Sequence, residues 1–241
     1  MALKYKYHRI QTRNSIRLVE LSPGSTDDPR VHCKIIHTDL GASRDRFEAV
    51  SYTWGDANER QTILCGEDNA ELEVPLNCVT TALRYPRDPQ RVRTPWIDAV
   101  CIDQSNIAEQ NAQVRIMGRI FATAKQTVIF LGENTIESRP LFQHLAEADK
   151  WLEDGKQNPA PESEQILISE LEELFRRLWV SRIWVIQELF HSQRALFLCG
   201  HYSVSYEAIH ECRFGYDKGF QVTSIVPAPL DIKKAKIIWY I

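Results

Sequence analysis

Apolar and polar positions change rhythm along the chain. Residues 16–21 (IRLVEL) and 31–36 (VHCKII) are short apolar-rich runs separated by the turn-rich SPGSTDDP. That arrangement predicts an N-terminal β-hairpin. From Phe47 onward, compact apolar runs alternate with stretches of helical periodicity, the pattern of a parallel sheet covered by helices. The predicted strands are FEAVSYTW (47–54), WIDAVCI (96–102), TVIFLG (127–132) and RALFLCG (194–200). Helices are predicted over 76–85, 106–122, 138–154 and 165–190, the last two parted by the loop GKQNPAPESE. TILC (62–65) and LEV (72–74) add two small strands before the first helix. The order β-α-β-α-β-α-β predicts an α/β fold: a parallel sheet flanked by helices, with an N-terminal β-hairpin and extra short strands. The expected division is a β extension over 1–44, the α/β domain over 45–213 and a C-terminal segment over 214–241.

Two helices show clear stripes. In 106–122, Ile107, Val114, Met117 and Phe121 recur at helical spacing. Asn106, with Glu109 three residues on, fits a capping box, which gives Glu109 a structural use that competes with a catalytic one. In 179–190, Trp179, Ile183, Ile186 and Phe190 form the stripe expected to face the core. Trp184 and Glu188 share a different face one turn apart, where spacing alone favours a solvated carboxylate.

Composition narrows the classes. Hydrophobic residues make up 44% of the 241 positions and charged residues 25%, as in soluble globular proteins. The formal net charge of -3, with no local run of Lys and Arg, argues against nucleic acid as a partner. Six dispersed cysteines, none in a ligand spacing, predict reduced thiols in an intracellular compartment and no metal. The N-terminal MALKYKYHRI lacks a signal-peptide core, and no apolar run approaches the ~18 residues of a membrane span, so a cytoplasmic location is expected. The apolar ending KAKIIWYI suggests that a longer chain continues beyond Ile241.

Ligands of an open parallel sheet bind at the carboxyl ends of its strands, here SYTWGDANE, DQSN, GEN and GHYS. Ser51, Tyr52 and Trp54 would line a pocket for a flat, hydroxylated ligand, with Gly55 permitting close backbone approach and Asp56 adding an acid, or the stretch would be a turn set by Gly55 and plugged by Trp54. Asp98 sits in an apolar strand candidate, where a carboxylate must be paired, so it is either an anchor or a site residue. Asp103 would face a ligand or cap the next helix. No Gly-rich phosphate loop, nucleophile elbow or His-x-x-x-His spacing is present.

Three blocks together resemble the fungal heterokaryon-incompatibility (HET) domain: FEAVSYTWGD (47–56), PWIDAVCIDQSNIAEQNAQVRIMGRIFATAKQTVIFLGE (95–133) and LWVSRIWVIQELF (178–190). The resemblance covers roughly residues 45–200, and Glu109-Gln110 stands where the family pattern often has Glu-Arg. HET domains in turn resemble Toll/interleukin-1 receptor (TIR) domains, which implies a TIR-like, flavodoxin-like sheet. Ser51, Tyr52 and Gly55 match the end of the first TIR strand, and SRIWVIQEL is similar to the plant-type Trp-x-x-x-Glu motif. By that resemblance Glu188 would be the catalytic residue for NAD cleavage, with Ser51, Tyr52, Trp54, Gly55, Asp56, Asp98, Asp103 and Trp184 binding substrate.

The chemistry is self-consistent. Nicotinamide is already cationic in NAD and leaves without a general acid, through an oxocarbenium-like ribosyl cation that one carboxylate can stabilise. The resemblance implies no cofactor, with NAD as the expected substrate. The role that the resemblance implies is allorecognition and programmed cell death, with self-association or other death-signalling proteins as partners. The alternatives are a non-enzymatic signalling and oligomerisation module on the same fold, or a degenerate relative with neither role.

Overall fold

The computed structural model describes residues 3–53, 60–75, 77–136, 138–155 and 185–209. Strands β1 (Ser15–Leu21) and β2 (His32–Asp39) form the antiparallel hairpin that the sequence predicts. The small excursion forms β4 (Arg60–Cys65) and β5 (Ala70–Pro75), antiparallel to each other. β4 also pairs in parallel with β2, matching His32 to Leu64 and Cys33 to Cys65. Hairpin and excursion are therefore one four-stranded sheet, β1-β2-β4-β5.

The second sheet contains β3 (Glu48–Tyr52), β6 (Pro95–Trp96), β7 (Gln126–Phe130), β8 (Ala195–Cys199) and β9 (Tyr202–Ser205). Its order is β6-β3-β7-β8-β9, parallel except for the antiparallel edge strand β9. β3 and β7 are buried over four consecutive positions, which is why both read as unbroken apolar runs rather than alternating ones. The chain passes from β3 outward to β6, then back across β3 to β7. The reversal of direction falls between β3 and β7, where an open α/β sheet offers its ligand crevice at the carboxyl ends.

The helices are α1 (Asn77–Arg84), α2 (Asp98–Cys101), α3 (Ile107–Thr123), α4 (Arg139–Glu153) and α5 (Val185–His191). One core cluster joins the first sheet to Val50, Tyr52, Val128, Phe130 and α3. A second, on Ile129, Phe197 and Cys199, is covered by α4 and by Leu189 of α5. Among the described residues no helix is long and apolar enough to cross a membrane.

Three local expectations are corrected. The run 96–102 is not a strand: pairing ends at Trp96, and Asp98–Cys101 turns into α2. Asp98 is thus in a first helical turn, where a carboxylate is favourable, and not inside a strand. On α3 the buried face is Gln113, Met117, Ile120 and Phe121, whereas Ile107 is 71% exposed and Val114 is also exposed. On α5 it is Leu189 that is buried while Phe190 is exposed; Trp179 and Ile183 lie outside the described residues.

Asn106 caps α3, its side chain accepting from Glu109 N at 3.2 Å. Glu109 does not return the bond. Its carboxylate instead accepts from both terminal nitrogens of Arg17 and from Asp103 N at 2.8 Å. Arg17 has no exposed surface; it also donates to Cys101 O at 3.0 Å and to His8 O at 2.6 Å, with its guanidinium 4.8 Å from the centre of the Tyr7 ring. One buried cation thereby ties the N-terminal segment, β1, α2 and α3 together. Burial pushes the Tyr7 phenol well above its ordinary value near 10, and its hydroxyl donates to Val100 O at 2.9 Å. The folded state keeps that proton after the unfolded state begins to lose it, so stability must fall as pH rises past about 10. Urea denaturation at about pH 8 and pH 10.5 should show a smaller loss in Tyr7→Phe, which itself costs about 1 kcal/mol at neutral pH.

Candidate functional site

Ser51 and Tyr52 end β3 and pair with Ile129 and Phe130 at the end of β7, at the mouth of the crevice set by the strand order. Successive residues of a strand face opposite sides of its sheet. Ser51 is buried, and its hydroxyl donates to Oε2 of Glu188, which is only 4% exposed. The solvated carboxylate favoured by spacing is therefore replaced by a buried one, beneath the carboxyl edge of the sheet. The two residues are 137 positions apart in sequence.

Several contacts hold the helix that carries the carboxylate. Ser192 Oγ donates to the carbonyl of Glu188, and its oxygen meets Thr127 Oγ1, at the start of β7. A hydroxyl has one proton, so Thr127 is the donor to Ser192 and the end of α5 is pinned to β7. Leu189 packs in the cluster that contains Ile129 and Phe197. On the other flank, the His191 ring lies 3.0 Å from where a Cβ on Gly118 of α3 would stand, an approach that a larger residue would obstruct. Gln193 completes the anchoring, bonding Asp45 Oδ1 at 2.8 Å and the carbonyls of Ala122 and Ala124.

Tyr52 is 2% exposed, so its ring is core, not an open face for stacking. Its hydroxyl donates to Asp98 Oδ1 at 2.9 Å, which also accepts from Ala99 N at 2.7 Å. Gln104 Nε2 bonds Asp98 O, and Gln110 Nε2 bonds Gln104 Oε1, so Gln110 extends this polar chain. Asp103 accepts from Ser105 N and Oγ, and so shapes its own loop. The structure thus brings Ser51 to Glu188 and Tyr52 to Asp98. Trp54, Gly55, Asp56 and Trp184 lie outside the described residues.

At the ends of β7 and β8, Gly132 and Gly200 have φ of 101° and 54°, and Gly200 N bonds Gly132 O at 2.9 Å. Tyr85 packs on Phe130 and against His201, and its phenol is raised by burial and by a hydrogen-bonded Glu133. Sequence reasoning missed this aromatic group because Tyr85 follows a helix that carried no other site residue. Two of the described thiols are held protonated: burial pushes Cys101 up to about 12, and the hydrogen bond to Cys65, then burial, raise Cys33. Among the described residues no three His, Cys, Asp or Glu side chains gather as a metal site. Among the described residues, Glu188 is the buried carboxylate at this end of the sheet, and a charge in so water-poor a setting would act strongly on a nearby cation.

A family model described as Heterokaryon incompatibility protein (HET) matches residues 47–188. The chain is 26% identical over 234 residues to Heterokaryon incompatibility protein 6, OR allele, of Neurospora crassa, an alignment covering 80% of this chain and 34% of the relative. It therefore spans about a third of that relative's length. No solved structure matches.

Proposed function

Since the chain belongs to the heterokaryon incompatibility (HET) family, we propose that it is an effector of fungal allorecognition and programmed cell death that cleaves the nicotinamide-ribose bond of NAD when assembled. Residues 45–213 are the HET unit in this reading, and the sheet is TIR-like and flavodoxin-like. The parallel strands, numbered from β3 along the chain, run second, first, third, fourth, which supports that comparison. The observation that carries the proposal is the buried Ser51–Glu188 pair at the reversal point of the sheet.

Glu188 would stabilise the ribosyl cation as nicotinamide departs, and water would then add to C1′, giving ADP-ribose and a proton. Ser51 would act as a positioning residue, holding the carboxylate in one orientation. Trp54, Gly55, Asp56 and Trp184 would complete the substrate pocket, and Asp98 and Asp103 would keep the loop after β6 in place. Self-association in the cytoplasm would switch the activity on.

Separating products after incubation with NAD tests this reading: nicotinamide should appear together with ADP-ribose or its cyclised form. Ser51→Ala should lower kcat by about tenfold with KM little changed, the loss expected when a charged group loses one orienting hydrogen bond. The burial of Glu188 also supports a second reading, a non-enzymatic assembly module in which the carboxylate only ties α5 to β3. In that case Ser51→Ala would lower the unfolding temperature and no nicotinamide would form with any variant.

A further inference from the structure

The fold gathers a positively charged groove that the chain's net charge of -3 conceals. Residues 9–14 run beside α3, and together they enclose about 790 Å³. Four arginines line it: Arg9 and Arg13 from the segment, Arg115 and Arg119 from α3. The carboxylate on the wall, Glu109, is already held by both terminal nitrogens of Arg17. Among the described residues none of the four arginines forms an ion pair; Arg119 donates to Asn14 Oδ1 at 3.2 Å. Arg115 and Arg119 are like charges at i and i+4, an arrangement that opposes helix formation. It persists on α3 without a compensating acid.

Two further features belong to the same groove. Ile116 supplies an aliphatic surface between the arginines. Gln113 is buried in its floor, with Nε2 on Ser15 O at 3.2 Å and Oε1 lacking a partner. We propose that the groove binds a small, multiply charged organic phosphate of the nucleoside polyphosphate class. Guanidinium forks match phosphate oxygens two at a time. The apolar wall would take the organic part. The volume falls within the roughly 300–1,000 Å³ usual for small-molecule sites. An acidic peptide fits less well, since it would need a longer row of cations than the four arginines that line this groove. The site is separate from Glu188: α3 carries the groove on one face and packs against α5 on another.

Calorimetric titration of the 241-residue chain with ATP, tripolyphosphate and adenosine tests the proposal. ATP should bind more tightly than tripolyphosphate, adenosine should not bind, and affinity should fall as salt rises. The exposed double variant Arg115→Glu/Arg119→Glu should lose about tenfold or more in affinity for ATP. The charge-matched Lys34→Glu/Arg44→Glu, outside the groove, should keep it, and thermal unfolding would check that both variants fold. No saturable binding at millimolar ATP, or an equal loss in both variants, would overturn the proposal. So would poly-glutamate binding more tightly than ATP, which would make the groove a protein-docking surface. Because Glu188→Gln should leave ATP binding intact, failure of the groove proposal and failure of the NAD reading are distinguishable.

Discussion

Glu188→Gln should abolish NAD cleavage while leaving the fold in place. Glutamine has nearly the shape of glutamate and keeps an oxygen to accept from Ser51, so the contact between β3 and α5 survives. What disappears is the negative charge, and a charge in a water-poor setting acts far more strongly on a developing cation than it would in water. A fall in kcat of about 10²–10³-fold or more is expected, with KM much less affected. Circular dichroism and the urea midpoint should stay close to wild type. Loss of folding in this variant would instead make Glu188 a structural anchor.

Arg17→Met should destabilise the fold more than either Tyr7→Phe or Ser51→Ala. It leaves Glu109 largely buried without its cation and strips donors from the carbonyls of Cys101 and His8. Breaking such a pair from one side costs about 3–5 kcal/mol, a large share of the roughly 5–15 kcal/mol that holds a domain folded. The double variant Arg17→Met/Glu109→Gln should be less unstable than the sum of the two single changes, because the stranded charge is gone. A coupling of about 1–3 kcal/mol in urea denaturation is expected. Strict additivity would mean that the pair contributes nothing.

Burial on both faces made β3, β7 and β8 legible as apolar runs, and their order along the chain was enough to place them in one α/β sheet. The run 96–102 misled for a physical reason: Ala99, Val100 and Cys101 are all buried whether the backbone extends or coils, and a buried one-turn helix has no exposed face to betray its period. Ile107 and Val114 kept helical spacing yet face outward, because α3 turns Gln113 and Met117 inward instead. The Arg17–Glu109 pair spans 92 positions and follows no periodicity, so a capping role was the natural reading of Glu109. The arginine groove was hidden in the same way, its charges split between residues 9–13 and α3. Ser51 and Glu188 gained meaning as a pair only from the family resemblance, since spacing alone favoured a solvated carboxylate. Their contact in the fold is the independent observation.

Whether the Ser51–Glu188 site cleaves NAD is decided by nicotinamide release from NAD by the purified wild-type chain over a series of protein concentrations. Nicotinamide should form in step with NAD loss, at a rate per molecule that climbs as the protein assembles. Intact NAD after prolonged incubation of protein shown to be folded and assembled would contradict the assignment.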